Sequence, residues 1–256
     1  MPNSLLTPLL AAEAPDVCIH CAGSASVGLS MENPAADFHG NTVLTFELLE
    51  ALRRNAPKCR FLLLSSAAVY GNPATLPVRE TDPPGPLSPY GFHKLQCEML
   101  CTEFTRFFGV PTAVVRIFSA YGPGLRKQVV WDICQRVLTQ GSLPMHGTGR
   151  ESRDFIHASD IARGLFTLAV AAPAEGEIYN LASGREVSIG ELACLLLAEL
   201  AATFEAKFDG KSTPGDPLNW SADISKIRAL GFAPAIALEE GLREVARWSR
   251  AELGKA

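Results

Sequence analysis

The chain has 256 residues, 47% of them hydrophobic and 20% charged, with a formal net charge of -4. That balance describes an ordinary globular protein and gives no global attraction to nucleic acid or to an anionic membrane. No apolar run approaches the roughly 18 residues of a membrane span, and the first residues lack the basic region of a signal peptide.

Residues 4–14 read as a short helix ending at Ala14-Pro15-Asp16. Residues 17–21 (VCIHC) are an apolar strand running into Ala22-Gly23-Ser24, small residues that let backbone approach a ligand. Residues 34–55 have helical periodicity in Phe38, Val43, Phe46, Leu49 and Leu52. Residues 61–64 (FLLL) look like a buried parallel strand and end in Ser65-Ser66. A Pro-rich loop over 71–89 leads to a helix from Tyr90 to about Phe108, and residues 112–118 (TAVVRIF) form another buried strand.

Beyond Tyr121 the pattern loosens. A helix is expected over 129–138, an irregular stretch over 141–152, a strand over 153–157 and a helix over 159–171 capped by Ser159. A strand over 177–181 precedes a helix from Ser188 to about Ala202, with Glu191 at the capping-box position. A strand over 203–208 and helices over 223–230 and 238–251 complete the pattern.

Strands alternating with helices imply a parallel α/β sheet, which binds ligands beyond the carboxyl ends of its strands. Ala22-Gly23, Ser65-Ser66 and Phe118-Ser119 fall there. The seven cysteines are odd in number and scattered through apolar segments. Cys18 and Cys21 lack a second pair at zinc spacing, so no metal site is expected, and reduced, buried thiols in a cytoplasmic protein are the expectation.

The stretch Ser88-Pro89-Tyr90-Gly91-Phe92-His93-Lys94 places Tyr90 and Lys94 one helical turn apart, on one face. A cation beside a phenol favours the phenolate, which makes Tyr90 a candidate proton-transfer group. Taken alone, the spacing also fits an ordinary Tyr and Lys on a helix surface.

PDVCIHCAG, Asn41, LLLSSAAVYG, SPYGFHK, VVRIFSAYGPG, RDFIHASDIA, EIYNLASG and PGDPLNWSADISKIRALGF follow one another along the chain. From about Pro15 onward this series resembles the extended short-chain dehydrogenase/reductases, and within them the NAD-dependent epimerase/dehydratase group acting on nucleotide sugars. The resemblance implies a parallel Rossmann-type sheet over 1–118 and 158–184. A smaller C-terminal α/β substrate-binding domain would take 119–157 and 185–256. It implies that Tyr90 is the acid/base, that Lys94 lowers its pKa and holds the nicotinamide ribose, and that Ser66 hydrogen-bonds the reacting sugar hydroxyl or ketone. Ala22, Gly23, Asn41, Ser65 and Phe118, with Tyr90 and Lys94, would form the NAD or NADP site. Ser119 and Arg153 would meet the substrate, Arg153 gripping its diphosphate. Bland alternatives stand beside three of these: Asn41 as a helix-interior polar residue, Arg153 as a surface ion-pair partner, Phe118 as core.

The family's opening Gly-rich turn, GxxGxxG, is not found. The expected fold is therefore N-terminally truncated by about 50 residues, the size of a βαβ unit and a further strand, with 17–21 as an exposed edge strand. An internal start codon, a truncation, or a first unit supplied by a partner segment would each produce this.

Ala67 and Ala68 stand where 4,6-dehydratases carry an acidic pair, so an epimerase or keto-sugar reductase fits better. Ser119 stands where sugar epimerases often have Asn. Thr213 and Pro214 stand near a family Arg before Gly215-Asp216, for which Lys211 is a candidate substitute. The resemblance also implies a homodimer through a four-helix bundle of the helices 34–55 and 90–108. The alternative is a non-catalytic member that binds a nucleotide sugar or a partner chain.

Overall fold

The structure, a computed structural model, describes residues 6–211 and 217–254. Its strands are β1 (Val17–His20), β2 (Arg60–Ser66), β3 (Thr112–Ile117), β4 (Ser119–Tyr121), β5 (Leu143–Met145), β6 (Ser152–His157), β7 (Glu175–Leu181), β8 (Glu186–Ser188) and β9 (Ala206–Phe208). Its helices are α1 (Leu6–Glu13), α2 (Val27–Glu32), α3 (Pro34–Phe38), α4 (Leu44–Asn55), α5 (Pro89–Phe108), α6 (Gln128–Gln140), α7 (Ala158–Ala171), α8 (Ile189–Glu199), α9 (Ser225–Arg228) and α10 (Leu238–Glu252).

β1, β2, β3 and β7 form one parallel sheet in that order. Side chains alternate across it as a pleat requires. Phe61 and Leu63 pack with Leu49, Leu52, Cys97 and Phe104 of α4 and α5. Leu62 and Val115 pack on the other face with Leu165 and Leu168 of α7. Each such leucine removed from water contributes about 2 kcal/mol. A separate core joins Ile133 and Val137 of α6, Leu192 and Leu196 of α8, and Leu242 and Val245 of α10. Ala222, Ile224, Ile227 and Phe232 pack into the sheet-side core.

Register positions the site. Ser66 pairs with Ile117, and Ile117 with Leu181, so three strands end at one level. β1 stops earlier, with His20 opposite Leu63, so the residues through Gly23 carry the chain up to the level of Ser66. Among the described residues β1 is an edge strand, and Ile19 on it is 41% exposed.

Four local expectations need correction. The segment 34–55 is not one regular helix: between α3 and α4 runs a π-helical turn, His39–Val43. Its cause is side-chain competition for main-chain carbonyls: Asn41 Nδ2 donates to Asp37 O at 3.1 Å, and Thr45 Oγ1 donates to Asn41 O at 2.7 Å. Helix α7 is capped not by Ser159 but by His157, whose Nδ1 accepts the Ser159 amide. Cys21 and Cys194 are exposed, whereas Cys59, Cys97, Cys101 and Cys134 are buried. The expected Ser188 cap is present, its Oγ accepting from Glu191 N at 3.0 Å. β5 crosses the stretch expected to be irregular.

Candidate active site

A cleft of about 620 Å³ opens at the carboxyl edge of the sheet. Ser66 and Tyr90 lie on its floor, Phe118, Ser119 and Trp220 on one wall, and Val129, Ile133 and Arg136 of α6 on another.

Tyr90 is placed by the start of α5. Ser88 caps that helix, its Oγ accepting from Gly91 N at 3.2 Å, and Pro89 occupies the first turn, where a missing N–H costs nothing. The Tyr90 amide donates to Ser30 Oγ at 3.1 Å, tying the helix start to α2. Gly91 lets the helix approach the turn after β2: a Cβ there would lie 2.7 Å from the Ala68 carbonyl oxygen. That approach brings Tyr90 into the same cleft lining as Ser66, whose Oγ accepts from Ala68 N at 3.1 Å.

Lys94 follows one turn later and is 6% exposed. Its Nζ donates to Leu64 O at 3.0 Å and lies 6.0 Å from the centre of the Tyr90 ring. The expectation that Lys94 pulls the phenol down is not met in the free chain. Burial dominates and pushes Tyr90 up to about 12, opposed by the neighbouring Ser66 hydroxyl. Burial likewise lowers Lys94.

Behind Tyr90 lie the other expected cofactor residues. Asn41, at 1% exposure, sits in the π turn with its Oδ1 buried and without a hydrogen-bond partner. Gly23, with φ +128°, packs directly on it: a Cβ would stand 2.6 Å from Asn41 Oδ1. Ala22 is exposed beside it. An orphaned buried amide oxygen beside a glycine, with Lys94 and Tyr90 on the adjoining helix, suits the nicotinamide end of a dinucleotide.

Other expected residues divide. Phe118 is both core and wall, 5% exposed and edge-on to Trp220. Arg153 lines the cleft, its guanidinium 5.3 Å from the Trp220 ring centre and its Nη1 donating to Ser152 O at 2.8 Å. Ser65 is turned away: its hydroxyl donates to Glu98 Oε1 at 2.5 Å within a buried network that includes Arg116. Lys211 is exposed and does not line the cleft. Thr213, Pro214, Gly215 and Asp216 lie outside the described residues. Among the described residues no three His, Cys, Asp or Glu side chains gather as metal ligands.

Trp220, His146, Lys127, Asp132 and Arg136 also line the cleft and were not anticipated. They come from loops and from α6, where one-dimensional spacing gives no cue to a shared cavity. Trp220 is the exception, since a tryptophan between polar residues in a loop marks a wall or anchor.

A four-stranded parallel sheet with Ser, Tyr and Lys gathered at its carboxyl edge defines an extended short-chain dehydrogenase/reductase. The NAD dependent epimerase/dehydratase family matches residues 2–182, and the chain belongs to it. A UDP-glucuronate 4-epimerase of Thermodesulfobacterium geofontis is 30% identical over 91% of this chain and 72% of its own. dTDP-glucose 4,6-dehydratase 1 of Escherichia coli is 30% identical over 94% of this chain and 74% of its own. The crystal structure of UDP-glucuronic acid 4-epimerase from Bacillus cereus, in complex with UDP-glucuronic acid and NAD, superimposes with a TM-score of 0.91 at 29% identity, covering 98% of this chain and 79% of that one.

Proposed function

We propose that the chain is an NAD(P)-dependent nucleotide-sugar epimerase with Tyr90 as its acid/base. The observation that carries this reading is the meeting of Ser66 and Tyr90 in the lining of the cleft, with Lys94 buried one helical turn beyond Tyr90.

In this reading Ala22, Gly23, Asn41, Tyr90, Lys94 and Phe118 hold the dinucleotide, which supplies a hydride acceptor and donor when bound. Ser66 fixes the reacting sugar hydroxyl. Tyr90 would act as the tyrosinate, ionised once the positively charged nicotinamide is bound; it takes the hydroxyl proton as the ketone forms and returns it on reduction. The buried Lys94 ammonium offsets the charge of that phenolate. Arg153 and Ser119 hold the diphosphate and sugar from the opposite wall, Arg153 through the forked donors that suit phosphate.

Ala67 and Ala68, both buried, carry no acid or base next to Ser66. This favours epimerisation, or reduction of a keto-sugar, over dehydration. The division into a cofactor part (1–118, 158–184) and a substrate part (119–157, 185–256) belongs to the same reading, supported by the separate core of α6, α8 and α10. So does a homodimer through α4 and α5, which expose Phe46, Phe92, Met99 and Phe107. Titration calorimetry with NAD and NADH tests the cofactor half directly, and light scattering the assembly. Binding abolished by Gly23→Val supports the proposal; no binding by the parent chain contradicts it.

A further inference from the structure

Arg153 stands on β6 with its guanidinium 5.3 Å from the centre of the Trp220 ring, within cation–π range. Its Nη1 donates to Ser152 O at 2.8 Å and to Leu218 O at 3.2 Å. Trp220 is itself fixed from three directions. Its amide donates to Ser152 O at 3.1 Å, its Nε1 donates to Gly71 O at 2.9 Å, and its ring meets Phe118 edge-on with centres 6.1 Å apart. One carbonyl, that of Ser152, therefore receives both Arg153 and Trp220.

The next residue on β6, Asp154, points the other way: it is buried and accepts from the amides of Ser183, Gly184 and Ala222. Arg153 lines the cleft together with Trp220 and Phe118. Phe118 follows Ile117, which pairs with Ser66. Phe118, Trp220 and Arg153 thus run along one wall from the level of the reacting groups. An arginine side chain has many rotamers, and fixing it on a phosphate costs affinity unless it is already held. A tryptophan face beneath the guanidinium fixes its plane without using an N–H donor, and it is through N–H donors that the fork engages an oxyanion.

We propose that Trp220 is a positioning residue for substrate binding, its ring holding the Arg153 guanidinium preformed for a nucleotide diphosphate. This role rests on the reading of Arg153 as the diphosphate ligand, and UDP binding separates the two without turnover.

The test is titration calorimetry of UDP with the parent chain and its folded variants. Arg153→Met should weaken UDP about tenfold or more by removing the fork. Trp220→Leu, which keeps an apolar wall without an aromatic face, should weaken it about fivefold. In the Arg153→Met background Trp220→Leu should add nothing. Trp220→Phe keeps a ring face and gives up the bond to Gly71 O, so it should stay within about twofold of the parent. Trp220→Met serves if Trp220→Leu does not fold. Parent affinity in Trp220→Leu beside a weakened Arg153→Met overturns the positioning role and leaves Arg153 as the ligand. Equal losses in Trp220→Phe and Trp220→Leu, or a Trp220→Leu loss that persists beside Arg153→Met, overturn it too and make Trp220 a wall alone. Parent affinity in Arg153→Met, or a parent chain that binds no UDP, overturns both roles. A chain that shows the expected pattern yet converts no nucleotide sugar leaves the positioning role standing, and only the epimerase reading falls.

Discussion

Lys94 donates its ammonium to the Leu64 carbonyl at 3.0 Å, so the charge expected to activate Tyr90 is held by main chain at the end of β2. The phenol in the free chain is accordingly governed by burial and raised to about 12. Isotope-labelled tyrosine NMR should find Tyr90 protonated well above pH 10, and added NAD, with its positively charged nicotinamide, should lower the midpoint. Because the folded value lies above the unfolded value of 10.0, the group stabilises the fold below that pH and loses its contribution as pH rises toward 12. A free-chain midpoint at or below 10 would contradict this account of the site.

Gly91 sets how closely the start of α5 approaches the turn after β2. A methyl group there would stand 2.7 Å from the Ala68 carbonyl oxygen and 2.9 Å from Pro86 Cβ. Gly91→Ala improves intrinsic helix propensity by about 1 kcal/mol, yet it must push the helix off the turn after β2. Turnover should fall at least tenfold with helix content unchanged by circular dichroism. Full activity in this variant would show that the close approach is not required.

Glu98 and Arg116 form a buried pair, joined at 2.7 and 3.0 Å, with Ser65 donating to the same carboxylate and Tyr70 beneath the guanidinium at 4.5 Å. Removing one partner strands a charge in the core. Glu98→Leu should cost about 3–5 kcal/mol in denaturant unfolding, and Glu98→Leu with Arg116→Met should recover much of it. A loss below about 1 kcal/mol for the single variant would mean that the pair behaves as a surface contact.

His20 adds an acid limb to stability. Its Nε2 lies 3.2 Å from Thr45 Oγ1, whose own proton goes to Asn41 O, so the imidazole is the donor. Burial lowers it from 6.5 to about 4, with Lys94 contributing. The unfolded chain therefore takes up a proton that the folded chain refuses, and stability falls as pH drops from 6.5 toward 4. The loss over that window is up to about 3 kcal/mol, and His20→Gln should flatten it. An unchanged acid slope would exclude His20 as its source.

Much of this was readable in one dimension because short apolar runs rich in Val, Ile and Leu, bounded by small polar residues and alternating with helices, fit buried parallel strands. Thus Leu62 and Leu63 were placed in a buried strand and Ser66 at its cleft end, whereas Ser65 was not. Tyr90 and Lys94 were legible as a pair because helix geometry fixes their spacing. What the spacing could not carry was environment. Nothing local says that Lys94 would find Leu64 O, or that Ser65 would turn to Glu98 while Ser66 lined the cleft. The π turn at Asn41 was hidden because it arises from two side-chain bonds to carbonyls rather than from composition. Asp37 and His93 were invisible for the same reason: they meet across 56 residues of sequence.

The most direct test of the central claim is a proton NMR time course of the chain with NAD and, in turn, UDP-glucose and UDP-glucuronate, beside Tyr90→Phe. The account predicts that signals of the 4-epimer accumulate with the parent chain, while the variant, folded and still binding NAD, slows by about a thousandfold or more. Equal conversion by the variant would contradict the role assigned to Tyr90. A parent chain that binds both NAD and nucleotide sugar without converting any would contradict the epimerase itself.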